Sequence, residues 1–359
     1  MMGSDLNFIM KQFLLDSKIN PYGDGHINNT YLTTTREYIL QKINTNIFKQ
    51  PHELMENIYN VTEHLRKKIA EAGGNPDRET LTIVPTLKGD KYYRTENDEY
   101  YRVYKFVDDT LCYSIAENPK QLYHAARAFG KFQNMLNDFP IDQLHETIPD
   151  FHNTRERFNQ LLTAIKENRT GRLDSVQEEV NWALSQEYMV DEITNAIKEG
   201  TVPLRVTHND TKINNVLFDK ETEEGLCVID LDTVMPGSLL YDYGDALRAG
   251  AATAAEDEPD LSLMWFDMSA FRQFTKGYLE EMLPVMTDKE IELLPLSAKM
   301  LTYECGIRFL ADYLNGDTYF KTSREGQNLD RARTQFKICQ DIDNKMEEMK
   351  SVVKKYSKR

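Results

Sequence analysis

The chain changes its hydrophobic period once, and that change limits the folds open to it. Up to Val107 apolar residues mostly alternate with polar ones, as in "INNTYLTT", "EYILQKIN" and "EYYRVYKFV". This is the pattern of half-buried strands joined by polar turns. "TLTIVPTL" and "KYYRT" add further strands, while 5–18 carries helical spacing that "NPYGDG" stops. One long helix is predicted over 52–72, where Leu54, Ile58, Val61, Leu65 and Ile69 recur at helical intervals before Gly73 and Gly74. After Val107 the helical period takes over, predicting helices at 119–137, 151–167, 175–198, 265–282, 288–314 and 325–354. It is broken once, by the short extended pieces "TVPLRVTH", "NNVLFD" and "LCVIDLD". The pattern predicts an α+β chain with a small N-terminal antiparallel β lobe holding one long helix (1–107) and a larger, mainly helical C-terminal lobe (108–359).

Charge and cysteine usage narrow the partners. The 43 Lys and Arg against 58 Asp and Glu leave a net charge of −15, a field that repels nucleic acid and anionic membranes. An anionic substrate would need a local cation or a metal. Cys112, Cys227, Cys305 and Cys339 are scattered without a C-x-x-C pair, fitting neither a zinc site nor a disulfide framework, so a cytoplasmic protein is expected. The start "MMGSDLNFIMKQFLLDSK" lacks the basic, continuously apolar pattern of a signal peptide, and no run is long enough to span a bilayer.

Between the short strands of the second lobe stands "VTHNDTKINNVLFD". Asn and Asp serve in many turns for purely local reasons, so any one of them is explained as loop chemistry. Together they supply what phosphoryl transfer from ATP demands, which is positioning plus charge neutralisation. One carboxylate, Asp210, orients the attacking hydroxyl. Asn215 and Asp230, the latter at the end of the next strand, offer oxygen donors for a magnesium or manganese ion. The order His208-x-Asp210-x4-Asn215, then Asp230, is a compound pattern with few accidental matches.

That pattern resembles the aminoglycoside phosphotransferase and choline kinase superfamily, whose members are relatives of protein kinases. "HNDTKINN" and "VIDLDTVMPGSLLYDYGDALR" are similar to the N-acetylhexosamine 1-kinases within it, and the likeness extends to "PYGDGHINNTYL" and "ECGIRFLADYLNGDTYF". The resemblance implies a protein-kinase-like two-lobed fold with ATP as co-substrate. It makes Asp210 the catalytic base and Asn215 and Asp230 the metal ligands, with Asp232 either a further ligand or structural and His208 structural.

By the same resemblance Gly25, Asn28 and Tyr31 belong to the turn covering the phosphates. The strand "YILQKIN" brings Gln41 and Lys42 to opposite faces, so only one can meet the nucleotide; Lys42 is the candidate. Glu53, Glu56 and Glu63 are the candidate acidic partners on the following helix. The backbone of Phe106 to Asp108 is the expected hinge for the adenine edge, and His26, Arg308 and Tyr319 join Asp210 around the sugar. Arg308 could instead pair with Glu304 one helical turn away. The expected reaction is phosphorylation of the anomeric hydroxyl of N-acetylglucosamine or N-acetylgalactosamine. The alternatives are a kinase of another small alcohol (an aminoglycoside, choline, homoserine or a different sugar) or a pseudokinase that only binds nucleotide. The acidic run at 250–262 is expected to be a loop that becomes ordered on binding.

Overall fold

The computed structural model describes residues 5–23 and 27–358 and divides the chain into two compact units. The first comprises 1–112, 135–149 and 215–236; the second comprises 113–134, 150–214 and 237–359. The architecture is α+β, with a small antiparallel sheet in the N-terminal part and a larger helical body following it. Among the described residues no helix is long and apolar enough to cross a membrane.

In the first unit, β1 (Ile19–Pro21), β2 (Asn29–Thr33), β3 (Tyr38–Ile43), β4 (Ile83–Val84), β5 (Tyr93–Arg94) and β6 (Tyr100–Lys105) form one sheet. Its order is β1-β2-β3-β6-β4, with β5 also paired to β6, and all its pairings are antiparallel. β1 was not visible in the sequence, where its Pro and neighbouring Gly read as a stop; an edge strand tolerates Pro because it need not donate inward. The α1 helix (Leu6–Lys11) packs Ile9 and Met10 with Phe13 onto Leu40, Tyr101 and Val103. It ends well short of Lys18, since Leu14 adopts a left-handed conformation with φ 57°.

The long helix α2 (Pro51–Glu71) begins with Pro at its first position, where a missing N–H costs nothing. Its fully buried Asn57 joins separate stretches of chain. The Asn57 amide donates to the carbonyls of His145 (2.8 Å) and Val234 (2.9 Å), and its Oδ1 accepts from His145 N (2.9 Å). A short helix α3 (Pro76–Glu79) follows. β7 (Thr110–Leu111), β8 (Val216–Asp219) and β9 (Gly225–Val228) complete the unit as a small antiparallel sheet ordered β9-β8-β7.

The second unit is helical: α4 (Pro119–Met135), α5 (Thr154–Glu167), α6 (Gln177–Ser185), α7 (Glu192–Lys198), α8 (Leu239–Gly250), α9 (Met268–Met282), α10 (Asp288–Asn315) and α11 (Gln327–Tyr356). The single helix predicted over 175–198 is two, separated by a short 3-10 turn at Glu187–Met189 that buries Met189. α10 opens with a capping box between Thr287 and Glu290 and runs through Pro295. Gly244 of α8 lies so close to α10 that an added Cβ would stand 2.5 Å from the Ser297 carbonyl. Only glycine permits that approach.

Candidate active site

The loop of the second unit that carries Asp210 is built on Asp242 of α8. This buried carboxylate accepts the backbone amides of His208 (2.8 Å) and Asn209 (2.6 Å), and its carbonyl accepts the Thr211 hydroxyl (2.5 Å). Asp245, one turn on, accepts Thr211 N at 3.1 Å. Burial pushes Asp242 above the usual carboxylate range. It is the converse for Asp245, where Arg248 and Lys212 overcome burial and hold the carboxyl low. The chain can then bend at Asn209, whose φ is 65°.

His208 is fully buried, with its ring against Phe129 (5.7 Å) and Phe132 (6.2 Å). Its Nδ1 accepts the amide of Asp210 at 3.2 Å, so this hydrogen bond places the ring proton on Nε2. The imidazole shapes the loop and directs the Asp210 side chain outward. That carboxylate is 27% exposed, and Lys212 lies 2.7 Å from its Oδ1. Asp210 and Asp245 keep Lys212 protonated above its ordinary range although burial opposes them. Lys212 was missed in the sequence, where its position two residues past Asp210 was the available signal.

A second buried chain reaches the loop from α10. Glu304 accepts from His152 Nδ1 (2.9 Å) and from the Thr154 hydroxyl (2.7 Å), while His152 Nε2 meets the Asn209 carbonyl at 3.1 Å. Glu304 is therefore spoken for, and Arg308 does not form the helical pair with it. The Arg308 guanidinium lies instead 5.9 Å from the Tyr319 ring centre and 5.5 Å from that of Phe320. Asp312 accepts the amides of Thr318, Tyr319 and Phe320 at 2.8–3.0 Å, which presents Tyr319 with 72% of its surface exposed. Arg157 is a further cation of this region: burial and then the charge of Arg308 hold it below the usual arginine range. Nothing in the sequence singled it out.

In the first unit Asn215 and Asp230 flank the base of the β8–β9 hairpin, where Ile229 N donates to the Asn215 carbonyl at 2.9 Å. Asp230 has φ 59°, a left-handed turn that ends the strand direction and exposes its side chain. An amide oxygen and a carboxylate suit a hard divalent cation that takes its remaining ligands from phosphate and water. Asp232 does not fit as a third donor, because Arg102 engages one of its oxygens (2.5 Å) and the Asn28 amide the other (2.5 Å). Among the described residues no three His, Cys, Asp or Glu side chains gather to hold a metal.

The register of β3 separates Gln41 from Lys42. Gln41 lies opposite Arg102 and accepts from its Nε at 2.9 Å, on the face that meets Met55 of α2. Lys42 lies opposite Tyr101 on the other face and pairs with Glu99. Glu99 thus holds Lys42 on the face opposite Gln41, since one strand residue cannot serve both faces. Of the candidate helix glutamates, Glu56 pairs with His145 (2.9 Å) and His52 (3.4 Å), and Glu63 stands 3.9 Å from Arg66.

At the expected hinge, Phe106 N donates to the Glu37 carbonyl (2.7 Å), and the carbonyls of Val107 and Asp108 accept from Thr110 (3.1 Å) and Arg78 (3.3 Å). Tyr22 packs edge-on to Phe106 at 6.0 Å, with Arg36 over the same ring. Gly25 and His26 lie outside the described residues.

Solved structures share this architecture. The aminoglycoside phosphotransferase from Alicyclobacillus acidocaldarius is 13% identical, with 99% of this chain and 98% of that one covered at a TM-score of 0.63. A microcompartment-associated aminopropanol kinase is also 13% identical, with 96% and 98% covered at 0.58. An amicoumacin kinase solved with AMP-PNP, Ca2+ and its substrate is 12% identical, with 95% and 94% covered at 0.57. At these identities the likeness is one of fold. The sequence itself matches the family model described as phosphotransferase enzyme family over residues 18–274, more than half its length, and the chain belongs to that family.

Proposed function

We propose that this protein transfers the γ-phosphoryl group of ATP to the anomeric hydroxyl of an N-acetylhexosamine, N-acetylglucosamine or N-acetylgalactosamine, giving the α-1-phosphate. The observation that carries the reading is the Asp210 carboxylate, held outward by its amide's bond to His208 and flanked by Lys212 at 2.7 Å. Asp210 receives the proton of the attacking hydroxyl, which at an anomeric carbon is more acidic than that of an ordinary alcohol. Lys212 fixes the carboxylate and adds positive charge where a phosphoryl group would arrive. Asn215 and Asp230 would hold a magnesium or manganese ion, whose charge would neutralise the phosphate oxygens. Residues 1–107 serve as the nucleotide-binding lobe, with Asn28 in the turn that covers the phosphates and with the backbone of Phe106 to Asp108 offered to the adenine edge. Residues 108–359 provide catalysis and the sugar pocket, to which His26 is assigned from the sequence.

Arg308, Arg157 and Tyr319 favour a sugar over a cationic acceptor. A polycationic aminoglycoside or choline is best met by carboxylates, whereas guanidiniums beside an exposed aromatic ring suit hydroxyl and amide oxygens around a weakly apolar ring. The test is ATP consumption with a panel of free sugars and amino alcohols, with and without excess chelator. N-acetylhexosamines should be the best acceptors, and chelator should abolish turnover. Asp210→Asn should lower kcat by roughly 10²–10⁴ with ATP affinity little changed. A folded Asp210→Asn protein that turns over at the parental rate would remove the base from the mechanism.

A further inference from the structure

Arg102 is the bulkiest of the fully buried side chains, with 1% of its surface exposed. A buried guanidinium must be met by charge and by acceptors, and this one has partners at Nε and at one terminal nitrogen. One nitrogen meets Asp232 Oδ1 at 2.5 Å and its Nε donates to Gln41 Oε1 at 2.9 Å. The same terminal nitrogen also lies 3.8 Å from the Met55 sulfur. Gln41 in turn donates to the Thr30 hydroxyl at 3.1 Å.

From Asp232 the same network runs to Asn28, whose amide donates to the second carboxylate oxygen and whose Oδ1 accepts Asn44 N at 2.9 Å. Strands β2, β3 and β6 are thus joined through side chains to two turns. One turn carries Asn28, and the other carries Asp230, two residues before Asp232 in the chain.

We propose that Arg102 is the positioning residue of the nucleotide-phosphate site: from β6, by way of Asp232, it sets the geometry of the Asp230 turn and of the Asn28 turn together, a task that no lysine of β3 performs here. The inference rests on the reading of Asp230 as a metal ligand and of the Asn28 turn as phosphate-covering. Arg102 touches neither nucleotide nor metal; it acts through the carboxylate between them. Lysine in its place would offer a point charge without the fork that reaches Asp232 and Gln41 at once.

The experiment uses the full chain, with mant-ATP as the binding probe and magnesium titrated alone. Arg102→Lys should keep the parental circular dichroism spectrum while raising the magnesium midpoint and the Kd for magnesium mant-ATP by about 10- to 100-fold. KM for the acceptor should stay at the parental value. Gln41→Leu, which buries no unpaired charge, should show the same pattern more weakly and supplies the readout if Arg102→Lys does not fold. A folded variant with parental magnesium midpoint and nucleotide Kd but a lowered Tm would make Arg102 merely structural and overturn the proposal. The proposal also falls if Lys42→Met, and not Arg102→Lys, weakens magnesium mant-ATP. A parent protein that binds magnesium mant-ATP yet phosphorylates no sugar sinks the sugar reading and leaves this one standing; a parent that phosphorylates N-acetylglucosamine while both variants keep parental magnesium midpoints does the reverse.

Discussion

His152 shows how far a buried charge can act from the atom that reacts. It bridges Glu304 of α10 and the carbonyl of Asn209, the residue before Asp210. Burial works against its protonated form, yet Glu304 outweighs burial and raises the imidazole above its ordinary value; Glu304 is correspondingly held low. A raised imidazole contributes stability that is fully present below the unfolded value, about 6.5, and is lost as pH rises through the folded value. The gap in Tm between the parent and His152→Gln should therefore be widest below pH ~6.5 and shrink as the medium becomes alkaline. Melting curves across that range check it, and a gap that grows with pH would contradict the pairing.

Helices and strands differ in how openly the sequence declares them. The helix read over 52–72 is found at Pro51–Glu71, and the one read over 288–314 at Asp288–Asn315, because an amphipathic rhythm and a stop signal are local properties. What stayed hidden depends on distant partners: Arg102 reads as one more strand residue until Asp232 meets it, and Lys212 as one more charge until its distance to Asp210 is known. Strand alternation puts Gln41 and Lys42 on opposite faces, but their partners, Arg102 and Glu99, are known only from the folded chain. The acidic run after α8 also has partners that lie far along the chain. Glu256 pairs with Arg248 (3.0 Å) and lies 3.7 Å from Arg331, and Asp257 accepts from Gln327 (2.9 Å), so α8 and α11 engage the segment. Limited proteolysis should find 250–262 resistant in the free protein and more readily cut in Arg331→Ala. Rapid cleavage in the parent that ATP and sugar suppress would restore the picture of a loop ordered by binding.

At the scale of the whole molecule the first unit is not one piece of chain. Its sheet is made before residue 112, but 135–149 and 215–236 belong to the same unit, and Asn57 bonds to both. A fragment ending at 112 would lack the β8–β9 hairpin and leave Arg102 buried without Asp232, a loss of the kind that costs about 3–5 kcal/mol. Expressed alone, 1–112 should show no cooperative melt and no near-ultraviolet dichroism. A fragment with a sharp transition would show that the returning segments are dispensable.

The separation of Arg102 from Asp232 also has a consequence in time. Synthesis runs from the N-terminus at about 5–20 residues per second, and some 130 residues lie between the guanidinium and its carboxylate. For roughly 6 to 26 seconds the emerging sheet carries a cation destined for its interior with no counter-charge yet made. The β lobe therefore cannot close the Arg102–Asp232 pair until the 208–215 loop and the hairpin after it have been translated.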